Sequence, residues 1–140
     1  MSPELPDIKP FVDGVFTLPP YDHFPPRLLG GVCSSCKQYF FPRIPYCRIC
    51  FKPTEEAVLG SQGVLYSYTV IRTKAPLGLP TPYGVGYVDL AGSHLRVFCL
   101  LDPEAVEKFQ VGLAVQLAVK PLGLDERGSP CLRPYFTPKQ

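Results

Sequence analysis

Four cysteines fall within one short stretch, CSSCKQYFFPRIPYCRIC, residues 33–50. They form two Cys-x2-Cys pairs, Cys33 with Cys36 and Cys47 with Cys50, separated by ten residues. In a reducing compartment such pairs read as metal ligands or a redox site rather than as structural disulfides. Zn²⁺ takes four tetrahedral ligands, and a closed set of thiolates is the mark of a structural site. Each Cys-x2-Cys turn places two sulfurs on one knuckle. The intervening KQYFFPRIPY is long enough for a short hairpin that brings the knuckles together. The spacing therefore predicts a zinc ribbon with Cys33, Cys36, Cys47 and Cys50 as ligands. Iron in a rubredoxin-like site would use the same four residues and stays the alternative. A free dithiol redox protein would use one pair, whereas a single metal accounts for both. With cysteine at all four positions no coordination site is left for water or substrate, so the metal is expected to hold structure, not to catalyse.

The rest of the chain offers little other chemistry. Cys99 and Cys131 lie in apolar strand-like segments and read as buried free thiols. His23 and His94 are isolated from any nucleophile or acid–base partner. There is no Gly-x-Ser-x-Gly, no phosphate loop and no paired-carboxylate motif, so no catalytic residue is assigned.

Charge marks the cysteine segment. Residues 1–26 carry Lys9 against Glu4, Asp7, Asp13 and Asp22, a net of −3. Residues 27–52 carry Arg27, Lys37, Arg43, Arg48 and Lys52 with no acid, a net of +5. Residues 53–140 carry eight bases and eight acids and cancel. Four thiolates on one Zn²⁺ leave a formal −2, which the nearby cations offset; they could equally meet phosphate or an acidic partner. The start, MSPELPDIKPF, is acidic and broken by proline, unlike a secretory signal. No apolar run reaches the roughly 18–20 residues that span a bilayer. The expectation is a cytoplasmic protein with no membrane contact.

The elements around the cysteines divide the chain in three. Residues 1–26 hold seven prolines, too many for a regular helix or a central strand. They read as an extended arm. Phe11, Val15, Phe16, Leu18, Tyr21 and Phe24 make it apolar enough to pack on something, the other reading being a loose tail. The ribbon is placed at 27–58. From 59 to 140 the pattern is β, with strands at 64–72, 83–90, 94–101, 113–120 and 131–136. Pro134 makes the last of these an edge or its end. Between the third and fourth strands, DPEAVEKF starts a short helix: Asp102 suits the N-cap, Pro103 the first position and Glu104 the positive helix start. Five strands with one helix in that place is the order of an OB-fold barrel, although a small sandwich would read similarly. The expected fold is thus mainly β: extended arm, zinc ribbon, five-stranded OB-fold barrel.

The succession of the cysteine ribbon, GVLYSYTVIR, TPYGVGYVDL and the ending RPYFTP resembles the family in which a rubredoxin-like zinc ribbon precedes an acyl-CoA-associated OB-fold. The resemblance covers roughly residues 28–137. It rests most on the four cysteines, on FPRIPYC before the second knuckle and on Gly63 before the first barrel strand. It implies a small partner of thiolase-fold enzymes: thiolases, 3-hydroxy-3-methylglutaryl-CoA synthase or thiolase-like aldolases. In such complexes the large partner carries the nucleophile and the small subunit helps to build or cover the CoA site. Lys37 stands where the family often has glycine, and the arm replaces a part that is usually helical. That suggests a separate branch, one candidate being the small subunit of a thiolase for an aromatic 3-oxoacyl-CoA such as benzoylsuccinyl-CoA. The contact expected with CoA is the loop RTKAPLGLPTPYG, residues 72–84, where Arg72 and Lys74 could pair with phosphate; the bland alternative is an ordinary barrel loop. A rival from another class is a single-stranded nucleic-acid binder, since ribbons and OB-folds both serve that role. The neutral barrel half argues against it, because such binding needs a positive groove.

Overall fold

The computed structural model describes residues 10–11, 15–17, 26–73 and 76–139. Among these residues eight strands form two sheets. The first is three-stranded, in the order β2-β1-β3, from β1 (Leu28–Cys33), β2 (Gln38–Phe40) and β3 (Glu55–Gly60). The second is a closed barrel in the order β4-β5-β6-β8-β7. Its strands are β4 (Gln62–Ile71), β5 (Tyr83–Leu90), β6 (Arg96–Leu101), β7 (Ala114–Leu124) and β8 (Pro130–Pro138). Neighbours pair antiparallel except β6 and β8, which run parallel and meet in register at Leu101 and Phe136. That order, with a helical segment between the third and fourth barrel strands, is the OB arrangement expected from the sequence. No helix among the described residues is long and apolar enough to cross a membrane.

Alternation makes the barrel. Along β4 the residues alternate outward and inward from Gln62 to Tyr66, putting Gly63 and Leu65 inside. A bulge between Leu65 and Ser67 then bends the strand, as curvature into a barrel requires. Gly63 answers a close approach: a Cβ there would stand 2.5 Å from the Asp89 carbonyl oxygen and 2.6 Å from a Val88 methyl. The segment Pro103–Lys108 is a 3-10 helix, and the Asp102 carboxylate caps it by accepting from Glu104 N at 2.9 Å. The other Asp102 oxygen accepts from Thr137 Oγ1 at 2.9 Å, tying the cap to β8.

One core serves both sheets. Leu28 and Leu59 of the three-stranded sheet pack with Leu65, Val88, Leu101, Val115 and Phe136 of the barrel. The arm contributes as well. Phe16 is 5% exposed within that core and bridges Leu28, while Leu29 N donates to Val15 O at 2.7 Å. Further out, Phe11 N donates to Leu132 O at 3.0 Å. The packed reading of the arm therefore holds at these residues. Leu18, Tyr21 and Phe24 lie outside the described residues.

Two strands extend beyond their expected ends. β8 continues past Pro134 to Pro138, and β7 runs on to Leu124. Pro134 is tolerated because β8 pairs with β6 only at Phe136, leaving that side of the strand largely without a ladder.

Candidate metal centre and its surroundings

The two knuckles are built alike. In the first, Lys37 N donates to Cys33 O at 2.7 Å; in the second, Phe51 N donates to Cys47 O at 2.9 Å. Within each turn a backbone N–H reaches a sulfur: Cys36 N to Cys33 Sγ at 3.4 Å, and Ile49 N to Cys47 Sγ at 3.3 Å. The residue after each second cysteine takes a left-handed backbone, Lys37 at φ 61° and Phe51 at φ 64°. Glycine adopts that conformation most easily, which explains why a glycine suits position 37 and what Lys37 gives up by standing there. Behind the knuckles, Arg43 Nη2 donates to Thr54 O at 2.9 Å, and the Thr54 hydroxyl donates to Ile44 O. Arg43 is thus engaged inside the ribbon, and Lys52 Nζ bonds Ser35 Oγ at 3.2 Å.

These turns bring the four sulfurs within 4.8 Å of one another. Cys33 and Cys50 are 3.5 Å apart and Cys36 and Cys47 are 3.9 Å apart. A disulfide would need about 2.05 Å, so these are four separate thiols. Four sulfurs at about 2.3 Å around one Zn²⁺ would lie about 3.8 Å from each other. The cluster fits a tetrahedral metal, and Cys33 and Cys47 are 1% exposed. Hydrogen bonding sets the thiols apart. The Cys47 thiol is pulled down to about 7, first by the Cys50 backbone N–H. The Cys36 thiol is pushed up to about 12, first by its hydrogen bond with the Cys50 thiol. Among the described residues this is the one group of three or more His, Cys, Asp or Glu side chains able to hold a metal ion.

The other cysteines stand apart. Cys131 is buried and its thiol donates to Leu122 O at 3.8 Å. Burial pushes the Cys99 thiol up to about 12. His94 sits in the turn before β6 with φ 62°. His23 lies outside the described residues.

Of the two cations expected near CoA, Lys74 lies outside the described residues and Arg72 is exposed just after β4. Arg72 borders a cleft of about 270 Å³ whose opposite wall is the 3-10 segment with Glu104, Glu107 and Lys108. The loop that follows is anchored on β7. A Cβ at Gly123, whose φ is +66°, would stand 2.7 Å from Leu77 O and 2.9 Å from Leu79 Cδ2.

A second feature was not foreseen from the sequence. An apolar cavity of about 410 Å³ lies between β6 and β8, where the barrel ladder is thinnest. Phe11 and Val15 of the arm, Phe41 and Pro42 of the ribbon, and Phe98 and Leu100 of β6 line it. Arg133 closes one side, with its guanidinium 4.9 Å from the Phe11 ring and its donors held by Leu122 O at 3.0 Å and Leu124 O at 2.7 Å. These residues come from segments far apart in the chain, so no local pattern could have announced the cavity.

Comparison with known proteins agrees with this architecture. Residues 56–120 match the family model described as the ChsH2 C-terminal OB-fold domain. The benzoylsuccinyl-CoA thiolase subunit BbsA of Thauera aromatica is 33% identical over 118 residues, covering 84% of this chain and 80% of that one. Among solved structures, a chain of the Ltp2-ChsH2(DUF35) aldolase superposes with a TM-score of 0.63 at 27% identity, covering 80% of this chain and 84% of that one. The BbsA likeness is too long to be met by the barrel alone, so it takes in cysteine ribbon as well as OB-fold. The chain therefore belongs to the family of small subunits that includes BbsA and carries the ChsH2-type OB-fold.

Proposed function

We propose that this chain is a non-catalytic, zinc-stabilised subunit of a thiolase-type complex acting on acyl-CoA, in which it helps to form or cover the CoA site. The observation that carries this reading is the likeness, over most of both chains, to a subunit of a thiolase. The chemistry of the cysteine cluster supports it. Cys33, Cys36, Cys47 and Cys50 would hold the zinc, and a site filled by four thiolates supplies structure, with no position for a reacting water. The nucleophile that attacks a 3-oxoacyl-CoA would then belong to the large thiolase-fold partner. A partner of the aldolase kind is the second reading, favoured by the likeness to the Ltp2-ChsH2(DUF35) assembly.

Arg72 and Lys74 are proposed to offer charge to a CoA phosphate at the partner interface. The double variant Arg72→Ala/Lys74→Ala is expected to raise the complex's KM for CoA by about tenfold, the loss of one to two charge-assisted hydrogen bonds, with kcat and assembly unchanged. An unchanged KM would remove the two residues from the CoA site. If the double variant instead abolished salt-sensitive binding of the isolated chain to oligothymidine, the nucleic-acid reading would replace this one.

A further inference from the structure

The outer face of β4, β5 and β6 carries large apolar side chains that the described residues leave about half exposed. Val64, Tyr66, Tyr87 and Phe98 are 47%, 49%, 44% and 56% exposed. Register makes them neighbours: Tyr87 lies opposite Phe98, and Asp89 lies opposite both Val64 and Arg96. The Tyr87 and Phe98 rings pack with centroids 5.1 Å apart and planes tilted by 58°. Arg96 lies over Tyr66 at 3.4 Å from the ring centroid and donates to the two Asp89 oxygens at 2.6 Å and 3.2 Å. Phe98 also lines the cavity of about 410 Å³, so the aromatic face runs directly into an apolar hollow.

We propose that this face is the docking surface for the thiolase-fold large subunit, which inserts an apolar side chain into the cavity beside Phe98; this rests on the accessory-subunit reading above. Four points select that occupant. With about half of each ring exposed, the three aromatics leave roughly 300 Å² open, enough for the core of an interface that needs about 800 Å² per partner. Aromatic anchors beside a hollow are the arrangement in which binding energy concentrates. Among the described residues the two charges on the face, Asp89 and Arg96, satisfy each other, which leaves no unpaired cation among them to follow a phosphate backbone. Finally, Phe41 and Pro42 bring the ribbon to the cavity's rim. Its segment, residues 27–52, carries five bases and no acid. Even with −2 from four thiolates on Zn²⁺ its net charge is +5 − 2 = +3. The matching partner surface is apolar at the centre and acidic on the ribbon side. The chain's own barrel half, at net zero over residues 53–140, supplies no such acidic rim, which disfavours a second copy as the occupant.

The test uses the full chain and the purified thiolase-fold protein that co-elutes with it. Phe98→Glu and Tyr87→Lys are each expected to weaken the complex by about 100-fold, the loss of a hot-spot residue, with metal content and melting temperature kept. Glu126→Lys, in the exposed turn between β7 and β8 and so outside β4, β5 and β6, is expected to change affinity by less than about threefold. Should the face variants fold poorly, hydrogen exchange on the wild-type chain gives the same answer. Amides of residues 64–68, 86–89 and 96–100 should gain protection on complex formation. Face variants that bind like wild type, or unchanged protection there, would overturn the docking surface while leaving the accessory-subunit reading intact. Failure of the wild-type chain to bind any thiolase-fold protein would overturn both. A wild-type homodimer broken by Phe98→Glu, or oligothymidine binding lost in Tyr87→Lys, would assign the face to a second copy or to nucleic acid instead.

Discussion

Replacing Cys47 with serine should drop the bound metal from about one equivalent per chain to almost none and unfold the ribbon. A structural zinc site is worth on the order of 10 kcal/mol to the segment it closes, far more than the four knuckle hydrogen bonds could supply. The damage should spread, because Leu28 and Leu59 flank the ribbon and also sit in the shared core at 2% and 1% exposure. Elemental analysis reads the metal, and hydrogen exchange over residues 28–60 reads the ribbon. Zinc is the expected element; iron in its place would change the ion while keeping the ligand set. Cys99→Ser is the control, since Cys99 lies in β6, away from the cluster, and should leave the metal content at the wild-type level. A full equivalent of metal retained by Cys47→Ser would mean that Cys47 is not a ligand.

The second large effect concerns barrel closure. Phe136→Ala is expected to destabilise the chain by about 3–5 kcal/mol, much of what a domain of this size has in hand. Phe136 is 0% exposed and is the residue at which β8 meets β6 in register with Leu101. Its backbone oxygen also accepts from Asp102 N at 2.9 Å, at the start of the 3-10 segment. Truncating it leaves a void at the thinnest part of the ladder, next to a cavity that is already there, so collapse around the void is hindered. Urea unfolding measures the loss. A change below about 1 kcal/mol would show that the seam tolerates repacking and that Phe136 is not what closes it.

Much of this was legible because it is local. A Cys-x2-Cys knuckle is four residues long, so two of them announce a four-sulfur cluster before any fold is known. Alternation did the same for β4 to β7, and Asp102-Pro103-Glu104 announced the capped segment. What stayed hidden depends on partners distant in sequence. β3, with Glu55 and Glu56 at its start, carries no clear alternation because only Leu59 in it is buried. Pro134 read as marking an edge or a strand end; the strand continues, and the missing donor costs little because the ladder on that side is nearly absent. No local pattern in the barrel sequence brings Tyr66, Tyr87 and Phe98 together. Only the register, which sets Tyr87 against Phe98 and stacks Arg96 on Tyr66, puts them together outside. The cavity needs the arm, the ribbon and two barrel strands at once.

The proposal tested most directly is that this chain completes a thiolase-type enzyme without catalysing anything itself. The direct measurement is CoA-dependent cleavage of a 3-oxoacyl-CoA by the purified chain, by its purified large partner, and by the two together. The account predicts no turnover from this chain alone and full turnover only from the mixture, with one zinc per small subunit throughout. Turnover by this chain alone, surviving further purification, or a large partner equally active without it, would contradict the account.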